Sequence, residues 1–110
     1  MEQSLLYDFY GELLNEHQQR IYEDAIFNDL SLSEIAQQQE ITRQGVHDIL
    51  KRCARSLDEY ERKLHLLQRF LKIKEEVERI QILALKVSQE NDSREIREIQ
   101  EISRQMIEEL

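Results

Sequence analysis

Residues 31–52, SLSEIAQQQEITRQGVHDILKR, constrain the fold more than any other stretch of the chain. Ser31 followed three residues later by Glu34 is a capping box, in which each side chain satisfies the other residue's free backbone N–H. It opens a short helix that turns Leu32, Ile35 and Ala36 inward. Thr42 caps a second helix, which buries Val46, Ile49 and Leu50, and Ile41 sits in the turn between them. Ala36 is small enough to let the two helices approach, and the branched Ile41, Val46 and Ile49 hold the second in place. This is the pattern of a helix-turn-helix, whose second helix can place its N-terminal half in the major groove of DNA. It also suits a plain three-helix core with a solvated fourth helix.

The rest of the chain is read as helical too. Its 110 residues include no Pro and only two Gly, and Leu, Ile, Glu, Gln and Arg, all helix-compatible, dominate. Leu5, Leu6, Phe9, Leu13 and Leu14 form one stripe, predicting an amphipathic helix over 3–14, weakened at Gly11. Asn15 with Gln18 opens a second helix that buries Ile21, Tyr22, Ala25 and Ile26 and frays near Asn28 and Asp29. After Thr42 no breaker occurs before Asn91-Asp92-Ser93. Leu57, Tyr60, Leu64, Leu67 and Leu71 repeat at three and four. Phe70, Ile73, Val77, Ile80, Ala84 and Val87 then continue in another phase. The change near Phe70 predicts either a bend or a helix with two apolar seams. Ser93 caps a last amphipathic helix carrying Ile96, Ile99, Ile102, Met106 and Leu110. The expected class is all-α: a helix-turn-helix domain over 1–56 and a helical extension over 57–110. A helix of roughly 45 Å needs cover, so self-association through residues 57–87 is expected, with Leu57, Tyr60, Leu64, Leu67 and Leu71 as the dimer seam.

Charge is unevenly spread. The net charge is −8, yet residues 31–56 carry four bases against three acids, whereas residues 1–30 carry seven acids and one base. Arg43, Lys51, Arg52 and Arg55 face only Asp48 across 42–55. The outward face of the second helix is Thr42, Arg43, Gln44, His47, Asp48 and Lys51. Arg suits guanine and Gln suits adenine, so Thr42, Arg43, Gln44, His47 and Lys51 are the candidate base readers. Arg52 and Arg55, one turn on, are the candidate phosphate contacts. The acidic total predicts weak, salt-sensitive binding unless a dimer doubles the contact.

Other chemistries find little support. His17, His47 and His65 are far apart without partners at metal spacing, so neither metal nor cofactor is expected. Cys53 has no second cysteine to pair with and is read as a packing residue. There is no Gly-rich phosphate loop and no nucleophile arrangement, so an enzyme is not expected. The lack of a long apolar run, of a basic-then-apolar N-terminus and of paired cysteines leads to the expectation of a cytoplasmic protein without a membrane span.

The segments YDFYGELLNEHQQRIYEDAIFNDLSLSEIAQQQEITRQGVHDILKR and SLDEYERKLHLLQRFL resemble the YlxM family over roughly residues 5–80. These are small bacterial proteins similar to region 4 of sigma factors, and DLSLSEIA and TRQGVHDILKR carry the most specific likeness. The resemblance implies an all-helical DNA-binding regulator, with Thr42, Arg43, Gln44, His47, Asp48 and Lys51 on its reader. It also implies a gene lying beside those of the signal recognition particle, and hence a role in that pathway. Too short for the promoter-melting domains, the chain is not expected to be a complete sigma factor. The motif usually has Gly in its turn where this chain has Glu40, which predicts a left-handed backbone there. Gly45 should weaken the second helix by about 1 kcal/mol relative to Ala. The acidity outside 31–56 leaves a rival: an interaction protein whose basic face meets signal recognition particle RNA, or whose acidic helices meet that particle's GTPases.

Overall fold

Side chains set four of the helix starts. Asn15 accepts from Gln18 N–H while Gln18 reaches back to the Asn15 N–H. Ser31 and Glu34 form the same reciprocal pair. Thr42 accepts from Gly45 N–H at 2.9 Å, and Ser93 accepts from Ile96 N–H at 3.2 Å. The computed structural model describes residues 2–90 and 93–110; Asn91 and Asp92, read above as part of the last breaker, lie outside them. The described residues form α1 (Gln3–Tyr10), a 3-10 turn (Gly11–Leu13), α2 (Glu16–Ile26), α3 (Leu32–Gln39), α4 (Arg43–Leu64), α5 (Leu66–Glu90) and α6 (Arg94–Glu109). None of these helices is long and apolar enough to cross a membrane. The all-α expectation is met.

The first helix stops short of its sequence pattern. α1 ends at Tyr10, the chain tightens into the 3-10 turn, and Leu14 is extended. Gly11 is required there by a close approach: a Cβ would stand 2.8 Å from the Tyr7 ring. That ring stacks on Tyr22 with centroids 5.0 Å apart, and its hydroxyl donates to Glu23 at 2.7 Å. Leu6, Tyr10 and Leu14 are buried, whereas Leu13 is exposed.

The chain divides by contacts into two units, one ending at Leu67 and one beginning at Gln68. The boundary expected after residue 56 therefore falls within α4, which runs unbroken past it. In the first unit α4 packs against α1, α2 and α3. Ile21, Ile35, Ala36 and Val46 form one buried cluster, with Leu32, Ile41, Ile49 and Leu50 packed around it. Cys53 is fully buried and packs, as its lack of a partner suggested.

A corner at His65 replaces the uninterrupted helix expected after Thr42. His65 adopts φ 56°, ψ 26° and ends α4. His is among the few residue types enriched in that left-handed region. The corner is held from a distance. The Tyr10 hydroxyl donates to Glu61 Oε1 at 2.6 Å and accepts from Leu66 N–H at 3.1 Å. Glu61 also accepts from Leu67 N–H at 3.0 Å. The first N–H groups of α5 are thus capped by a tyrosine and a buried carboxylate, satisfying donors that a helix start would otherwise leave open.

This corner reassigns part of the expected dimer seam. Leu57 and Leu67 are fully buried inside their own unit. Tyr60 is half-buried, its ring 6.0 Å from that of Tyr10. Only Leu64 and Leu71 of the five stand exposed. The phase change near Phe70 follows from this corner: α4's stripe is absorbed by the first unit, and α5 starts a new one.

The second unit is a pair of helices. Val77, Ala84 and Ser103 are buried, and Gln100 Nε2 of α6 donates to Ser88 Oγ of α5 at 3.0 Å.

Candidate nucleic-acid interface

The turn between α3 and α4 is built as the sequence predicts. Glu40 lies at φ 56°, ψ 41°, in the left-handed region, and its N–H bonds Ala36 O. Ile41 N–H reaches the same carbonyl at 3.1 Å. The turn sends α4 off with Ile41 and Val46 turned inward and a solvated face outward.

That face carries every sequence-predicted contact. Thr42, Arg43, Gln44, His47, Lys51, Arg52 and Arg55 are all exposed, while Val46, Cys53 and Leu57 of the same helix are buried. The residues are not all brought together. Arg43, Gln44 and His47 line one shallow groove with Leu32 of α3. Lys51 and Arg55 line a second, further along α4, with Ala54, Asp58, Glu59 and Arg62. His47 and Lys51 also border a third groove with Gln3, Tyr22 and Ile26. Arg52 stands exposed beside these grooves rather than in them.

Several contacts qualify individual roles. Thr42 Oγ1 is engaged in capping the helix, so its first task is structural. Gly45 sits against that cap: a Cβ there would lie 3.2 Å from Thr42 Oγ1, which gives a reason for glycine in a helix it otherwise weakens. Gln44 Nε2 donates to Asp48 Oδ1 at 3.0 Å, and His47 Nδ1 lies 3.7 Å from the same oxygen. Asp48 thus holds two candidate readers in place and puts an acid among them. A carboxylate at that position can accept from a cytosine amino group but repels phosphate.

Sequence reasoning missed three participants. Leu32 was read as wholly inward, yet it is half-buried and forms the α3 wall of the first groove. Gln3, from the far N-terminus, borders His47 and Lys51; its side chain accepts from the Tyr22 hydroxyl at 2.6 Å. Arg62 extends the basic row by two turns beyond Arg55 and pairs with Glu59 at 3.0 Å. Its spacing of seven from Arg55 was the available signal.

A capped turn with a left-handed residue, a small alanine at the helix contact and a second helix polar on one side and buried on the other define a helix-turn-helix protein. A family described as "Putative helix-turn-helix protein, YlxM / p13 like" matches residues 1–102, and the chain belongs to this family, UPF0122. A UPF0122 protein of Thermoanaerobacter sp. (strain X514) is 43% identical over 108 residues, 97% of this chain and 92% of that protein. One from Desulforamulus reducens is 52% identical over 67 residues, 61% of this chain and 57% of that protein. One from Geobacillus sp. (strain WCH70) is 47% identical over 75 residues, 68% of each chain.

Proposed function

We propose that this protein is a cytoplasmic, homodimeric DNA-binding regulator that acts by binding rather than by catalysis. The observation that carries this reading is the two-sidedness of α4: Arg43, Gln44, His47 and Lys51 are exposed along the helix whose other side anchors the core. In the proposed docking the first half of α4 enters the major groove. Arg43 and Gln44 meet base edges, with His47 and Lys51 following one and two turns on, and Thr42 fixes where the helix begins. Arg52 and Arg55 meet phosphates. A link to the signal recognition particle pathway enters through the family resemblance.

The charge distribution favours one second reading. Acidity outside residues 31–56 adds nothing to DNA affinity and suits a basic partner surface. On that reading the basic face of α4 binds signal recognition particle RNA, or the acidic helices bind its GTPases.

Fluorescence anisotropy separates the two, using a mixed pool of short DNA duplexes and, in parallel, signal recognition particle RNA. The DNA reading predicts binding that falls steeply with salt; about three neutralised phosphates per copy give a logarithmic slope of about −2.7. It also predicts that Arg43→Ala with Lys51→Ala removes most of that binding while helicity is retained. Unchanged DNA affinity in the double variant overturns the assignment of the reader. RNA binding without DNA binding supports the second reading.

A further inference from the structure

One groove on the reading face holds a side chain that the base and phosphate contacts leave unused. Among the described residues it is lined by Arg43, Gln44 and His47 of α4 and by Leu32 of α3. Of these four only Leu32 is apolar. Part of it packs against the cluster of Ile21, Ile35, Ala36 and Val46, which holds it in place. It is nonetheless only half-buried, and the rest of it stays open to the groove. Ser31 caps α3 one residue earlier, accepting from Glu34 N–H at 3.1 Å, so the backbone that carries Leu32 is fixed as well. Apolar surface left in water gains by being covered. Here it borders the same groove as the side chains assigned to base edges.

The major-groove edge of DNA offers hydrogen-bond donors and acceptors and one apolar group, the methyl of thymine. The state of Gln44 points to where that methyl would lie. One hydrogen of its amide is taken by Asp48 Oδ1, with Nε2 at 3.0 Å. The amide oxygen and its second hydrogen remain for a base. That donor and acceptor together match the amino group and ring nitrogen that adenine presents in the major groove. An adenine met in this way is paired with a thymine, whose methyl stands on the same groove edge, and Leu32 borders the groove that Gln44 lines.

We propose that Leu32 is a specificity-determining residue, packing against the methyl group of a thymine at the base pair met by Gln44 or at the pair beside it. Arg43 and Gln44 then choose bases by hydrogen bonding, and Leu32 chooses by apolar contact. Because the core already holds this leucine, little side-chain freedom is lost when it meets the methyl. Uracil lacks that methyl, so the contact also separates DNA from RNA of the same base order. This rests on the DNA-binding reading above and adds a residue of α3 to it.

The test starts by selecting duplexes from a randomised pool with the full chain and measuring affinity for the selected site by fluorescence anisotropy. Each thymine of that site is then replaced in turn by deoxyuridine, which deletes one methyl and leaves the protein untouched. At one thymine this is expected to weaken wild-type binding about fourfold, the worth of one buried methyl-sized group. Leu32→Ala is expected to bind the thymine and deoxyuridine sites equally. Leu32→Met, of similar volume, is expected to keep the preference, and circular dichroism follows the fold of both. In the wild-type complex a nuclear Overhauser effect is expected between the Leu32 methyls and the methyl of that thymine, a readout that needs no variant. A chain that binds no duplex, or binds without enriching a sequence, overturns the reading of bases by α4 and this inference with it. A selected site at which no deoxyuridine weakens binding overturns this inference alone. So does an equal penalty in wild type and folded Leu32→Ala, or a wild-type complex without that Overhauser effect.

Discussion

The two units of the chain draw on the same residue types and use them differently. Up to Leu67, eleven apolar side chains among the described residues are buried, Tyr10, Tyr22 and Leu57 among them, and five large ones stand exposed. From Gln68 onward, the described apolar side chains include only two that are buried, Val77 and Ala84, and eleven large ones that are exposed. Both are built of helices among the described residues, so helix propensity does not separate them. What separates them is how many helices pack against each apolar stripe. In the first unit α4 is covered by three other helices, which close over its apolar stripe. Two helices alone can cover only the strip between them. The lesson is that an amphipathic pattern reports that a face wants cover, and the number of neighbouring helices decides whether the chain itself supplies it.

The largest expected effect contrasts the two units directly. Leu57→Ala should cost about 2–5 kcal/mol in urea or thermal unfolding, since it opens a cavity at a fully buried site. Leu83→Ala, at a site more than half exposed, should change stability by no more than about 0.5 kcal/mol. Equal losses at the two sites would break the comparison.

Next comes the corner. Tyr10→Phe removes a donor to Glu61 and the acceptor for Leu66 N–H in one step. Leaving such buried groups unsatisfied should cost about 1–3 kcal/mol. Hydrogen exchange at Leu66 and Leu67 should quicken in step with that loss.

Alkaline unfolding sharpens the picture of the first unit further. Burial, with Cys53 and Asp58 nearby, pushes the Tyr22 hydroxyl up to about 12 from its ordinary 10. Burial and their glutamate partners push Tyr7 and Tyr10 upward too. The folded state therefore holds these protons more tightly than the unfolded one. Their contribution is complete below pH 10 and is lost as pH rises through about 12. Far-ultraviolet dichroism should report the first unit melting across that window. A helical signal unchanged through it would contradict the buried tyrosine cluster.

The smallest effects lie on the reader. Glu40→Gly relieves a left-handed non-glycine backbone and should raise stability by about 0.5–1 kcal/mol, seen as a rise in Tm. Asp48→Asn removes the acid between His47 and Gln44 and should tighten binding to mixed duplex DNA by roughly twofold to fivefold, with the wild-type fold retained.

Features encoded locally could be read from the sequence. The caps at Asn15, Ser31, Thr42 and Ser93, the left-handed Glu40 and the inward set Ile35, Ala36 and Val46 each follow from residues within a few positions of one another. What could not be read was made by distant partners. His65 ends α4 because Tyr10, more than fifty residues earlier, supplies the cap of the next helix. Gly11 follows from the placing of the Tyr7 ring, and Leu32 becomes a groove wall only once α3 crosses α4. The exposed face of α4 was readable because it depends on one helix. Leu57 and Leu67, expected in an apolar seam, are instead buried at a corner that no local pattern announces.

The most direct test of the central claim is a titration of the isotope-labelled full chain with short duplex DNA, followed by amide chemical shifts. The account predicts perturbations concentrated in residues 42–55 and at Leu32, with the buried side of α4 following weakly and α5–α6 silent. Shifts centred on α5–α6, or none at low salt, would contradict the assignment of α4 as the reader.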